Sequence, residues 1–156
     1  MKRIRQEHRT GCGIACIAML SGTTYVEVMS VAAKVFDWSE SQRTFYTSTS
    51  QLQSLLLEMN ISALQGRSIR KWSSMPDTAI VGINHNEKNN SWHWVVFRRE
   101  TDREYVLDPQ SKREARTDFG RMRLRSCIPI NLTIPSRGTS KKLRFFSAPH
   151  VKRWAS

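Results

Sequence analysis

Long hydrophobic runs are missing from this sequence. No apolar stretch approaches the roughly 20 residues that a membrane-spanning helix requires. The basic residues 1–9 lead into no apolar signal segment. Both absences argue against a membrane anchor or a signal peptide within these residues. We therefore expect a cytoplasmic protein, or an effector that is secreted by a route that the sequence does not reveal.

Cysteine is also scarce. The three cysteines, Cys12, Cys16 and Cys127, are odd in number and show no pair-of-pairs spacing. This pattern argues against a disulfide framework. It also argues against zinc, because no second ligand pair follows Cys12 and Cys16 at finger-like spacing. We predict no metal and no cofactor, in a chain suited to a reducing environment.

Acidic residues are rare in the last third of the chain. Residues 110–156 hold 12 of the 25 Lys and Arg residues but 2 of the 13 Asp and Glu residues, in a chain of net charge +12. This balance indicates an anionic partner, either nucleic acid or an acidic surface, although no nucleic-acid module motif is present. The residues concerned are Lys112, Arg113, Arg116, Arg121, Arg123, Arg125, Lys141, Lys142 and Arg144, with Phe145 and Phe146 available for stacking.

Length and periodicity predict one α+β domain. At 156 residues the chain is about one domain long. Apolar spacing predicts helices starting near Cys12 and ending at Gly22, then over 25–36 and 48–59. Strands are predicted over 78–83, 92–97, 105–107 and 127–134, with turns at 85–91 and 100–103. Helices followed by strands are typical of a helical layer packed on an antiparallel sheet. We assign residues 1–135 to this domain and 136–156 to a flexible basic extension.

Three residue types with hydrolytic potential occur in this framework. Cys12 lies at the predicted start of the first helix, where the helix dipole favours the nucleophilic thiolate. His93 lies on a predicted strand, and Asp108 ends the next one, so a hairpin would bring them side by side. A carboxylate there could hold the imidazole as the third member of a triad. The spacing alone leaves open whether these residues are catalytic or structural.

A longer motif resolves this choice. Gln6 is followed after five residues by the run CGIACIAMLSG, which begins at Cys12, and later by HWVVF from His93 and DP from Asp108. This series resembles the bacteriocin-processing peptidases, the papain-like domains that cut double-glycine leaders at the front of certain ABC exporters. The likeness covers about residues 4–134.

The resemblance implies a papain-like fold and a cysteine peptidase acting on a peptide or protein substrate. Cys12 would attack the carbonyl, and His93 would take the thiol proton and later protonate the leaving group. Asp108 would orient His93. Gln6, together with the backbone N–H of Cys12, would donate to the oxyanion.

Some features differ from the family pattern and leave alternatives open. The bulky Trp92 precedes His93 where relatives often have a small residue, which would narrow or reshape the substrate cleft. The sequence shows no transmembrane segment or nucleotide-binding domain, so we expect that it is not itself an exporter. The same residues would also suit a deamidase, a transglutaminase-like enzyme or a toxin-type effector. The basic third would suit a nucleic-acid-binding or RNA-cleaving protein. Of the remaining histidines, His8 is close to the nucleophile, whereas His85 is expected in a solvated turn and His150 in the extension.

Overall fold

The computed structural model describes residues 1–132, and the predicted basic extension at residues 136–156 lies outside them. Three helices pack on one five-stranded antiparallel sheet, which confirms the predicted α+β class. Among the described residues no single helix is long and apolar enough to cross a membrane. The first two helices reach that length and composition together, as a pair bent by 115°.

The helices begin and end at residues whose chemistry favours a boundary. They are α1 (Cys12–Ser21), α2 (Tyr25–Val35) and α3 (Thr49–Glu58). α1 ends at Gly22, whose φ of 70° is readily adopted only by glycine. Thr24 and Glu27 form a capping box at the start of α2, and Ser48 and Gln51 form another at the start of α3. The predicted helix positions are therefore confirmed.

The sheet is built around two consecutive hairpins. Its strands are β1 (Arg67–Ser68), β2 (Thr78–Asn86), β3 (Ser91–Arg99), β4 (Glu104–Leu107) and β5 (Leu124–Pro129). They are ordered β1-β5-β2-β3-β4, and every neighbouring pair is antiparallel. In the β3–β4 hairpin Val96 pairs with Leu107. The residue that follows β4 therefore lies beside the first half of β3.

Both faces of the sheet are covered. Alternate residues of β3 point to opposite sides: Trp94 and Val96 pack on the helices, whereas Val95 and Phe97 join a second apolar cluster. That second cluster is closed by aromatic side chains from the loops, including Trp72. α1 is the central helix, with almost every residue buried against β3. Fully burying each large apolar side chain stabilises the fold by roughly 1.5–3 kcal/mol. The start of α1 is thereby fixed above β3.

Strand boundaries differ from the predicted ones. The predicted turn at 85–91 occupies only residues 87–90, because the ladder continues to the pair of Asn86 and Ser91 despite their polarity. The strand predicted over 127–134 spans 124–129 instead. It ends at Pro129, which has no N–H to donate to a ladder. β1 was missed, since two exposed residues carry no periodicity.

Candidate active site

Cys12 is the first residue of α1, and the space on either side of it fits only glycine. A Cβ atom at Gly11 would collide with the Tyr25 hydroxyl oxygen, and one at Gly13 would collide with Thr47 Oγ1. The Cys12 side chain is itself buried. The Gly-Cys-Gly run thus fixes the sulfur at the N-terminus of α1. There the N–H groups of the first helical turn favour negative charge.

An imidazole and a carboxylate come from the β3–β4 hairpin. His93 is the third residue of β3, and Asp108 directly follows β4. Nε2 of His93 and Oδ1 of Asp108 are 2.7 Å apart. The same oxygen accepts the backbone N–H of Gln110 at 2.9 Å. The two side chains are only 17% and 13% exposed, so water screens their interaction little.

This shielded environment changes the titration of both groups. Burial lowers the pKa of His93, but hydrogen bonds to Asp108 and to the Cys12 side chain outweigh it and raise the pKa from 6.5 to about 9. Burial likewise raises the pKa of Asp108, but the hydrogen bond and charge of His93 hold that pKa below its usual value. The raised pKa of His93 and the lowered pKa of Asp108 both favour an imidazolium facing a carboxylate at neutral pH.

The sulfur of Cys12 completes one series of contacts with these groups. The backbone N–H of Trp94, the residue after His93, lies 3.5 Å from Cys12 Sγ. The Cys12 side chain also contributes to the raised pKa of His93, so the sulfur and the imidazole lie close together. The structure therefore brings together Cys12, His93 and Asp108 from segments far apart in the sequence.

The two other cysteines lie in the core. Cys16, one turn further along α1, is fully buried, and burial raises the pKa of its thiol well above the ordinary value. Cys127 packs in the second apolar cluster, where burial also raises its thiol pKa. Neither lines the cleft beside Cys12. Their surroundings are those of small buried apolar residues.

Gln6 lies near the triad, but its side chain is engaged elsewhere. Its backbone N–H donates to the carbonyl of Pro109 at 3.3 Å, which puts Gln6 beside the residue that follows Asp108. Its side-chain nitrogen donates to the carbonyls of His8 and Arg9 at 2.8 and 2.7 Å. The expected donation from Gln6 toward an oxyanion is not prepared in this structure, because short-range hydrogen bonds within the arm use the amide nitrogen.

A cleft of about 340 Å³ opens beside Cys12. One wall comes from the start of α3 and the segment before it, and the other from the β2–β3 turn. The Trp94 indole N–H donates to the Thr47 carbonyl at 2.9 Å and fixes the base of the cleft. The lining residues are all uncharged: Cys12, Tyr46, Thr47, Ser48, Gln51, Asn89, Asn90, Ser91, Trp92 and Trp94.

Trp92 forms part of this cleft, and the residues that hold it were missed in the sequence. A Cβ atom at Gly82 would approach Ser126 Oγ to 2.8 Å and the rings of Trp92 and Trp94 to 3.1 Å. Glycine on β2 thus lets both indoles pack across the sheet. The guanidinium of Arg125 lies 3.8 Å from the centre of the Trp92 ring. No sequence pattern indicates these contacts, since they join three separate strands.

The other histidines have partners away from the sulfur. His8 Nδ1 lies 3.1 Å from the Tyr25 hydroxyl. His85 is on β2 rather than in the predicted turn, with Nε2 2.9 Å from Asn90 Oδ1 at the edge of the cleft. His150 lies outside the described residues. Within residues 1–132 no group of His, Cys, Asp and Glu side chains could hold a metal ion.

Comparison with protein families matches residues 1–120 to the model described as the Peptidase C39 family. The matched range includes Gln6, Cys12, His93 and Asp108. No curated protein matches the chain. The family match confirms the resemblance that the motif around Cys12 indicated.

Proposed function

Because the chain belongs to the Peptidase C39 family and is therefore a cysteine peptidase, we propose that Cys12 is its nucleophile, with His93 as base and Asp108 as orienting residue. The observation that supports these roles most directly is the 2.7 Å contact of His93 with Asp108, beside a Cys12 sulfur that lies 3.5 Å from the backbone N–H of the next residue, Trp94. Such a series is the arrangement that thiol nucleophiles need for activation.

The raised pKa of His93 shapes the proposed mechanism. His93 rests as an imidazolium at neutral pH, and we assign the thiolate form to Cys12 for the attack because the N-terminus of α1 favours negative charge. The thiolate attacks the scissile carbonyl carbon, and His93 donates its proton to the leaving amine as the C–N bond breaks. A thioester on Cys12 remains. Neutral His93 then takes a proton from the water that attacks this thioester, and the Cys12 thiolate is released. Asp108 stabilises the imidazolium in the resting enzyme and again after His93 has taken the proton from water.

The developing oxyanion needs donors near Cys12. The backbone N–H groups of Cys12 and Gly13 lie at the open N-terminus of α1, which carries no side-chain cap. We assign a further oxyanion donor to Gln6. Its side-chain amide would donate to the oxyanion once it no longer binds the carbonyls of His8 and Arg9. The hydrogen bond to Pro109 keeps the backbone of Gln6 near the triad while the side chain turns. Losing one such donor commonly lowers the rate by roughly 10²–10³-fold.

For the substrate, we propose a leader peptide cleaved after a pair of glycines. The cleft beside Cys12 is small and bordered by two indoles, Trp92 and Trp94. Both indoles pack against Gly82, and Arg125 covers Trp92, which leaves them little freedom to move aside. A glycine presents no side chain to this surface, whereas a branched residue would have to displace an indole.

The test is labelling with a Gly-Gly peptide that ends in an electrophile, followed by mapping of the modified residue. We expect modification of Cys12 in the native protein and its loss in Cys12→Ala and His93→Ala. Cys16→Ala is the matched control, because it removes a buried thiol on the same helix and should be labelled like the wild type. Labelling that persists in Cys12→Ala would refute the assignment.

A second version of this probe tests the preference for glycine separately from the identity of the nucleophile. A Leu-Leu analogue should label Cys12 at least tenfold more slowly, an order of magnitude typical of a poorly fitting side chain. Equal rates would contradict the double-glycine proposal while leaving the nucleophile unchanged.

A further inference from the structure

A second hollow, which shares no lining residue with the uncharged cleft, lies next to the segment that follows Asp108. It has a volume of about 490 Å³, within the roughly 300–1,000 Å³ of ordinary ligand pockets. Its lining residues are Ser111, Lys112, Arg113, Arg116, Asp118 and Arg121. We call it the basic hollow, because four cations surround a single carboxylate.

These cations have no carboxylate partner among the described residues. Elsewhere arginines are paired: Arg99 with Glu104 at 2.7 Å and Arg103 with Glu100 at 3.0 Å. Next to the hollow, Glu114 faces the buried Arg3 at 3.6 Å instead of a hollow residue. The four positive charges therefore exceed the single negative charge of Asp118 in the hollow, which favours binding of an anion.

The basic hollow adjoins the catalytic residues. The backbone of Arg116 exchanges two hydrogen bonds with Val106 on β4, at 2.8 and 2.9 Å. Asp108 follows two residues after Val106, and the charge of Arg116 contributes to its low pKa. The Ser111 backbone N–H donates to the Asp108 carbonyl at 3.1 Å. The hollow therefore lies next to Asp108, whereas the neutral cleft lies next to Cys12.

We propose that the basic hollow is a substrate subsite that binds acidic side chains of the peptide on one side of the scissile bond. The inference rests on the proposed peptidase function and adds charge specificity to it. The substrate then has small uncharged residues at the cleft and Asp or Glu residues a few positions away.

A peptide fits this site better than a nucleic acid or a membrane does. The hollow is concave and local, and it continues into the contacts of Asp108. The basic side chains are also not interleaved with stacking aromatics: of the lining residues none is aromatic. Carboxylates on a flexible peptide can enter such a hollow, whereas a duplex or a lipid surface is too broad.

The test uses two triple variants of the full chain. Lys112→Gln, Arg113→Gln and Arg121→Gln remove three charges from the hollow but leave Arg116, next to Asp108, in place. The control, Lys34→Gln, Arg70→Gln and Lys71→Gln, removes three exposed charges elsewhere. Each protein cleaves a library of short peptides with Glu or Gln at varied positions, and mass spectrometry identifies the products.

We expect Glu to be enriched roughly two- to fivefold over Gln on one side of the cleaved bond, in the wild type and the control. The hollow variant should lose this enrichment and still cleave the Glu-free peptides at the wild-type rate. Added salt should reduce the preference, since the contacts are solvent-exposed. No enrichment in the wild type, or unchanged enrichment in the hollow variant, would overturn the inference while the peptidase function stands.

Binding provides a readout that does not need turnover. In a Cys12→Ala background, a fluorescent oligoglutamate peptide should bind, and the hollow variant should bind it about tenfold more weakly. An oligonucleotide that binds through the hollow while the glutamate peptide does not would overturn the inference in favour of a phosphate-binding surface. If the wild type cleaved no peptide, the proposed peptidase function would be refuted instead. The glutamate-binding result would still show whether the basic hollow binds acidic side chains.

Discussion

Raising the pH should destabilise the folded protein as His93 loses its proton. Its pKa is raised from 6.5 to about 9 in the folded state, so the native protein binds this proton more tightly than the unfolded chain does. The stabilisation is therefore fully present below pH 6.5 and is lost as the pH rises through about 9. The difference between the two values corresponds to about 3 kcal/mol of unfolding free energy. Because His93 is only 17% exposed, solvent screening reduces this little.

His93→Gln isolates this contribution. Urea unfolding is measured for both proteins across the pH range, and the unfolding free energy of the variant is subtracted from that of the wild type. We expect the difference to fall by about 3 kcal/mol between pH 6.5 and pH values above 9. Repeating the series with Cys12→Ala should shrink the fall, since Cys12 supplies part of the raised pKa.

A pH-independent difference would refute the reasoning. So would an NMR titration in which the His93 ring of the native protein loses its proton at or below pH 6.5. Either result would mean that burial, which lowers the pKa of His93, outweighs its hydrogen bonds to Asp108 and Cys12. The resting thiolate–imidazolium pair would then have to be abandoned.

The remaining predictions concern reactivity, the cleft and the basic extension. Iodoacetamide should label Cys12 well ahead of Cys16 and Cys127, whose thiol pKa values are raised by burial; peptide mapping that finds Cys16 labelled first would exclude Cys12 as the nucleophile. Gly82→Ala should destabilise the fold by about 1–3 kcal/mol and slow Gly-Gly cleavage, because the added methyl displaces the cleft indoles. Gly120→Ala, with nothing closer than 3.3 Å, is the control for the same thermal melt, and equal effects would argue against the packing explanation. Truncation after about residue 135 should leave small-peptide cleavage intact and remove the salt-sensitive binding to anions that the extension adds to that of the basic hollow; a joint loss of melting temperature and activity would instead make the extension part of the fold.

The helices could be predicted because their signals are local. Thr24 with Glu27 and Ser48 with Gln51 are capping pairs three residues apart, and Gly22 ends α1 one residue after its last apolar turn. The order of Cys12, His93 and Asp108 could be read from the sequence as well. The short turn between the strands of His93 and Asp108 predicted that these two residues lie side by side. Their catalytic roles stay predictions.

Other parts of the site depend on contacts that no local pattern records. The packing of Arg125 on Trp92 joins residues of β5 and β3 across a strand between them. The orientation of Gln6 is set by whichever backbone carbonyls the arm presents, here those of His8 and Arg9. The high charge of residues 110–156 was visible in the sequence. Its concentration in a hollow beside Asp108 required the turn and bridge that the fold supplies.

The division of the site between two parts of the chain has a consequence for biosynthesis. Cys12 emerges from the ribosome with α1, about 80 residues before His93 and Asp108 follow in the β3–β4 hairpin. Until that hairpin docks on α1, the thiol has neither the imidazole of His93 nor the N–H of Trp94 beside it. We expect a nascent or half-folded chain to be inert toward itself and toward its neighbours. Completion of the tertiary fold is thus the step that assembles the site.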